Sequence, residues 1–234
     1  MSVRGRRVVV AGATSESGAM VCAALVDAGA AVVAVGSDAG RLTALAERVP
    51  GIATEVCDLA DSGAVTALAT RLTAIGPVDG LIHLVGGWVG GTGILGQTDE
   101  GWAAMERSFR TLRNTTRAFY PALLASDEGR VAFVSSVSVD APTASGANYT
   151  AAKAASESWM RSVADGFRAD QGDTPGLRAA ATIFAVKALV DERMRAASPE
   201  KTFPGFTDVA TLASAVVGLW DAPAIDLNDT RILL

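Results

Sequence analysis

Cysteine is scarce, with only Cys22 and Cys57 in a chain of 234 residues. Two thiols make no disulfide framework. Each stands in an apolar stretch, so both read as small core residues of a protein kept in a reducing cytoplasm. Charged residues are few as well, 19% of the chain, with a net charge of −5 and no basic block. Nucleic acid and anionic membrane surfaces are therefore poor partners. No apolar run approaches the ~18 residues of a membrane span. Arg4, Arg6 and Arg7 precede apolar residues as in a signal peptide, but Gly12, Glu16 and Gly18 interrupt the apolar run, whereas a secretory core is continuous. No metal site is expected.

What the chain does have is apolar residues (50%) and glycine (24 residues). Short Val/Ile/Leu runs alternate with Ala-rich helical segments. Strands are expected at residues 8–11, 31–35, 52–56, 81–85, 130–135, 178–184 and 231–234. Helices are expected at 17–28, 41–48, 62–74, 99–124, 149–168 and 208–220, with Asp61 as an N-cap and Gly76-Pro77 as a stop. Near-continuous apolar strands between helices imply a parallel sheet covered on both faces. No linker, repeat or low-complexity segment divides the chain, so residues 1–234 read as one α/β domain. In such sheets ligands bind outside the carboxyl ends of the strands, where the strand order reverses.

The turn after the first strand reads Gly12-Ala13-Thr14-Ser15-Glu16-Ser17-Gly18. A strand, a small-residue turn and a helix N-terminus together present free N–H groups to an anion. Glu16 conflicts with that use, since a carboxylate repels a diphosphate unless it points to solvent. The solvent-facing placement is expected, with some loss of affinity.

Ser136 ends the fifth strand, and Tyr149 and Lys153 open the next helix. Four residues apart, the phenol and the amine share one helical face. With only two tyrosines and three lysines in the chain, this spacing is uncommon by chance. An ordinary phenol titrates near ~10, too high for acid–base work at neutral pH. A neighbouring ammonium stabilises the phenolate and lowers that value. Such a tyrosine moves a proton to or from a substrate oxygen, while the serine hydroxyl holds that oxygen.

In their order, Gly12…Gly18, Asp58, Gly86, Ser136 and Tyr149-x-x-x-Lys153 resemble the short-chain dehydrogenase/reductase family, over essentially the whole chain. The resemblance implies a Rossmann-type, doubly wound parallel sheet of about seven strands, a nicotinamide cofactor and hydride transfer that reduces a small-molecule carbonyl or oxidises an alcohol. It makes Tyr149 the acid/base, Lys153 the group that lowers its pKa and binds the ribose, and Ser136 the orienting hydroxyl. It places Gly12, Thr14, Ser15, Ser17 and Gly18 at the phosphates, Asp58 and Leu59 at the adenine, and Val85 and Gly86 at the ribose. Residues 86–91, Gly-Gly-Trp-Val-Gly-Gly, are also similar to dihydropteridine reductases, as is the end of the chain at residues 231–234.

The chain departs from the family pattern at several positions. Ser108 falls where the family has a catalytic asparagine, and Asn114 lies at a different height on the same helix. His83 falls in the fourth strand and reads as a structural or cofactor-pocket histidine rather than a catalyst. Phe184-Ala185 replaces a Pro-Gly, expected just after the sixth strand, and Leu189 replaces a threonine that would orient the nicotinamide. Ser37, where many relatives have arginine, and Arg41 one turn on favour NADP(H) over NAD(H), while Glu16 and Asp38 argue the other way. Trp88, in the glycine-rich stretch 86–96, is a candidate pocket wall. Phe203, Pro204 and Phe206 suggest a partly apolar, ring-shaped substrate. The resemblance also implies a homodimer or homotetramer paired through the helices containing residues 107–120 and 149–168, where Ala151, Ala152, Ala154 and Ala155 allow close approach and Trp159 and Met160 add area to bury. A non-redox dehydratase, isomerase or cyclase on the same fold, and a catalytically silent binding protein, are the alternatives.

Overall fold

The computed structural model describes residues 2–171 and 176–234. Seven parallel strands form one sheet: β1 (Arg7–Ala11), β2 (Ala31–Gly36), β3 (Ala53–Val56), β4 (Gly80–His83), β5 (Arg130–Ser136), β6 (Ala180–Val186) and β9 (Thr230–Leu233), in the order β3-β2-β1-β4-β5-β6-β9. A small pair, β7 (Leu189–Val190) and β8 (Thr207–Asp208), stands apart. The helices are α1 (Glu16–Asp27), α2 (Ala39–Arg48), α3 (Ser62–Ile75), α4 (Asp99–Ala125), α5 (Ala147–Gln171), α6 (Glu192–Ala197), α7 (Val209–Val217) and α8 (Ala224–Leu227).

Alternation along the strands divides the core into two layers. Val8 and Val10 pack with Cys22, Leu25, Leu212 and Trp220 on one face. Val9 and Ala11 pack with Leu68, Leu112, Phe119 and Phe167 on the other. A strand that buries both faces has no polar side to show, which is why these runs are continuously apolar. Ser15, Asp38, Asp61, Thr98 and Asp208 cap helices by accepting a backbone N–H. Strand order reverses between β1 and β4, the neighbours from which the chain departs in opposite directions, and the crevice opens there.

Several expected features move. The fourth strand stops at His83, so Leu84, Val85 and Gly86 belong to the loop above it. The sixth strand runs on to Val186 because Ser136 of β5 pairs with it in register. Phe184 and Ala185 are therefore buried inside the sheet rather than after it, and Val186, Lys187 and Ala188 are the residues that reach the crevice. Met160 is 1% exposed and packs into the core, so it adds nothing to an outer helix face. Asn114 is buried and donates to the carbonyls of Leu59 and Ala60, both at 3.1 Å. These two bonds tie α4 to the loop after β3.

His83 ends β4, lines the crevice and is held by two threonines of α4. Its ring nitrogens lie 3.3 Å from Thr111 Oγ1 and 3.1 Å from Thr115 Oγ1. Burial, with a smaller push from the Lys153 charge, lowers its pKa to about 3, so the ring is neutral.

Candidate active site

The phosphate-loop candidates form a tight corner. Gly12 has φ +82°, and a β-carbon there would lie 2.9 Å from the Leu84 carbonyl carbon and the Val85 nitrogen. Glycine thus provides both the left-handed turn and the close contact between the β1 and β4 loops. At Gly18 a β-carbon would meet the carbonyl oxygens of Gly12 and Ala13 at 2.6 Å. Ser15 caps α1, its Oγ accepting from Gly18 N at 3.0 Å and standing 3.1 Å from Ser17 Oγ.

Glu16 opens α1 but lines neither half of the crevice. Its carboxylate pairs with Arg48 at 2.9 Å and Arg193 at 3.1 Å. The Arg48 hydrogen bond is the chief cause of its lowered pKa, with burial opposing and Arg193 assisting. The side chain faces away from the phosphate loop, as expected, but two arginines hold it there rather than bulk water alone. Both pairs have exposed arginines and are individually weak.

One half of the crevice, about 280 Å³, is lined by Gly12, Thr14, Ser15, Gly36, Ser37, Arg41, Asp58, Leu59, Val85, Gly86 and others. Arg41 donates to the Thr14 carbonyl at 2.9 Å. Asp38 caps α2 by accepting from Arg41 N at 2.8 Å and does not line the crevice. Asp58 accepts from Ala60 N at 2.9 Å and pairs with Arg107 at 2.7 Å. The Ala60 bond first, and Arg107 second, lower its pKa.

The other half, about 390 Å³, is lined by Ser17, Trp88, Ser136, Tyr149, Lys153, Lys187, Leu189 and others. Ser15, Leu84, Val85 and Gly86 line both halves, so the two cavities adjoin along one crevice. Trp88 is a wall of it and is 68% exposed. Phe203, Pro204 and Phe206 do not line it; the two phenyl rings pack on each other at 5.6 Å.

Ser136, Tyr149 and Lys153 meet at this second half. Ser136 comes from the end of β5, and its Oγ accepts from Ser138 N at 3.1 Å. Lys153 Nζ donates to the Val134 carbonyl at 2.7 Å and stands 4.6 Å from the Phe133 ring centroid and 5.7 Å from that of Tyr149. Burial lowers its pKa to about 8, with the Glu157 carboxylate resisting. Ser108, across a narrow hollow shared with Tyr149, Lys153 and Gly87, reaches the Val85 carbonyl at 3.5 Å.

The expected lowering of the Tyr149 pKa by Lys153 is not found. Burial raises it, and the adjacent Ser136 hydroxyl alone pulls the other way. The lysine shares the face, as the spacing requires, but its proton is directed to a backbone carbonyl.

Behind these groups lies a cluster that sequence reasoning missed. Glu157, one turn after Lys153, accepts from Ser135 Oγ at 2.6 Å and from Arg231 Nε at 3.0 and 3.1 Å. Arg231 also donates to the Ser136 carbonyl at 3.1 Å. Arg231 lies 95 residues from Ser136, and no local pattern signals that contact.

The crevice has the form of a dinucleotide site. Two adjoining hollows flank a glycine corner and a helix N-terminus, with no room for a side chain at Gly12 or Gly18. Residues 6–171 match the family model for short chain dehydrogenases, and the chain belongs to that family. It is 29% identical over 171 residues to a short chain dehydrogenase of Pseudocercospora fijiensis, a match covering 69% of this chain and 55% of the relative. It is 32% identical over 139 residues to 2-keto-3-deoxy-L-fuconate dehydrogenase of Xanthomonas campestris pv. campestris, covering 58% and 44%. The chain thus spans about half the length of these curated relatives. The fold matches a gluconate 5-dehydrogenase of Burkholderia cenocepacia, solved with NADP and tartrate, at TM-score 0.82 and 21% identity, over 100% of this chain and 94% of that one.

Proposed function

We propose that the protein is an NAD(P)-dependent oxidoreductase that reduces a carbonyl, or oxidises the matching alcohol, with Tyr149 as acid/base. The observation that carries this reading is the meeting of Ser136, Tyr149 and Lys153 in a cavity that adjoins the glycine corner. A nicotinamide bound there supplies or accepts the hydride. The Tyr149 phenol is protonated at neutral pH, as an ordinary phenol is, and burial favours that form further; it is the form that donates a proton to a carbonyl oxygen. Ser136 holds the substrate oxygen by its hydroxyl. Lys153, with a pKa of about 8, is mostly ammonium at pH 7 and offers its remaining protons to the ribose hydroxyls. Ser108 stands where it holds a water between the helix and Val85.

NADP(H) is the favoured cofactor. Ser37 and Arg41 line the far end of the crevice, and Asp38, the acidic residue that argues for NAD(H), is turned away into its helix cap. The chain works as a homo-oligomer through the outer faces of α4 and α5, where Tyr120, Trp159 and Val163 border a shallow hollow. A reducing cytoplasm suits its two free, buried cysteines. Among the described residues no helix is long and apolar enough to cross a membrane.

Fluorescence titration with NADPH and NADH tests the reading, and absence of binding to both at millimolar concentration refutes it. Where NADPH binds, Tyr149→Phe is expected to lower turnover by about 10²–10⁴-fold with cofactor affinity within about twofold. Full activity in that variant identifies a different acid.

A further inference from the structure

We infer that Lys187 is the anchor for an anionic group on the substrate, so that the enzyme acts on carboxylate-bearing carbonyl compounds. This deepens the oxidoreductase reading and rests on it. Of the described residues lining the substrate half of the crevice, two are lysines, Lys153 and Lys187, and none is Asp or Glu. In a chain of net charge −5 with three lysines in all, that is a local excess of positive charge. Lys153 has its carbonyl partner and its place beside Tyr149. Lys187, where the chain leaves β6, has no ion pair among the described residues.

Its position is built by a turn at residues 203–206. Phe206 N donates to the Phe203 carbonyl at 3.1 Å. Gly205 has φ +72°, and its missing β-carbon would lie 3.4 Å from Lys187 Cδ. Phe203 holds φ 47°, a left-handed conformation uncommon for a bulky residue. The Pro204 carbonyl accepts from Lys187 Nζ at 2.9 Å, and the Phe206 ring lies 5.7 Å beneath it. One of three ammonium protons is thereby used. A carbonyl and a ring face orient a cation without neutralising it, which leaves the charge for an incoming anion.

The probe is oxalate, compared with neutral oxamide and with chloride at matched ionic strength, read as the shift in melting temperature of the full chain. Oxalate is expected to stabilise the natural protein and Lys187→Arg, and not Lys187→Met. Equal shifts in all three proteins, or none in the natural protein, overturn the inference. NADPH affinity, measured separately, distinguishes the two readings. If NADPH binds and oxalate has no effect, the anion anchor fails and the oxidoreductase stands; if oxalate acts and NADPH does not bind, the oxidoreductase reading fails, and with it the substrate class, while Lys187 remains an anion site. With turnover in hand, Lys187→Met should lower kcat/KM for phenylpyruvate by about 10–100-fold, the range of a charge-assisted hydrogen bond. For its methyl ester the fall should be under about threefold. Equal losses on acid and ester, or a weakened NADPH complex with no loss of selectivity for the acid, overturn it as well.

Discussion

Replacing Arg231 by methionine tests how the back of the active site is held. Arg231 reaches from the last strand to both oxygens of Glu157 at 3.0 and 3.1 Å and to the Ser136 carbonyl. Its bond to Asp140 at 2.9 Å involves a carboxylate that is 63% exposed and contributes little. The Glu157 side chain is only 6% exposed, so loss of the guanidinium leaves a carboxylate nearly without water. Breaking one side of a buried pair costs about 3–5 kcal/mol. The Ser135 hydroxyl at 2.6 Å and the distant Arg161, 4.0 Å away, remain as partial compensation. We therefore expect a loss of about 2–4 kcal/mol, or roughly 5–15 °C in Tm for a chain of this size. Urea denaturation without cofactor, at fixed protein concentration, measures it. Adding Glu157→Gln to Arg231→Met removes the stranded charge and should restore more than about 1.5 kcal/mol. A single variant within about 1 kcal/mol of the natural protein, or a double variant equal to the sum of its parts, refutes the account.

The site supports two further expectations. His83 is neutral in the folded protein with a pKa of about 3, against 6.5 for an ordinary histidine. Its contribution is complete above pH 6.5 and declines on acidification, because the unfolded chain takes up a proton that the fold refuses, by up to about 1.4 kcal/mol per pH unit. Urea melts at pH 6.5 and 5.0 should show a shallower loss in His83→Leu, and identical slopes would mean that the buried ring already carries charge. Arg41→Ala should weaken NADPH binding about tenfold and NADH binding by less than twofold, and equal changes in both would remove the basis for favouring NADP(H).

How much was legible in the sequence depended on how local each feature is. The strand–helix alternation, the helix stop at Gly76 and the cap at Asp61 are decided within a few residues by apolar period and capping chemistry, and they stand where expected. Strand ends were less legible: the sixth strand extends to Val186 because β5 offers it a partner, a contact some fifty residues away. Glu16 read as a flaw in the phosphate loop until the fold brought Arg48 and Arg193 to it, from 32 and 177 residues away.

The sequence alone determined the family of folds, the glycine corner and the common face of Tyr149 and Lys153, because each is set by backbone geometry over one turn or one strand. Tertiary structure alone decided the charge states. Whether Tyr149 titrates high or low, whether His83 is neutral, and which of the lysines faces the cavity without an acidic neighbour depend on how much water and which dipoles surround each group. Those surroundings are assembled from segments far apart in the chain, and no window of sequence contains them.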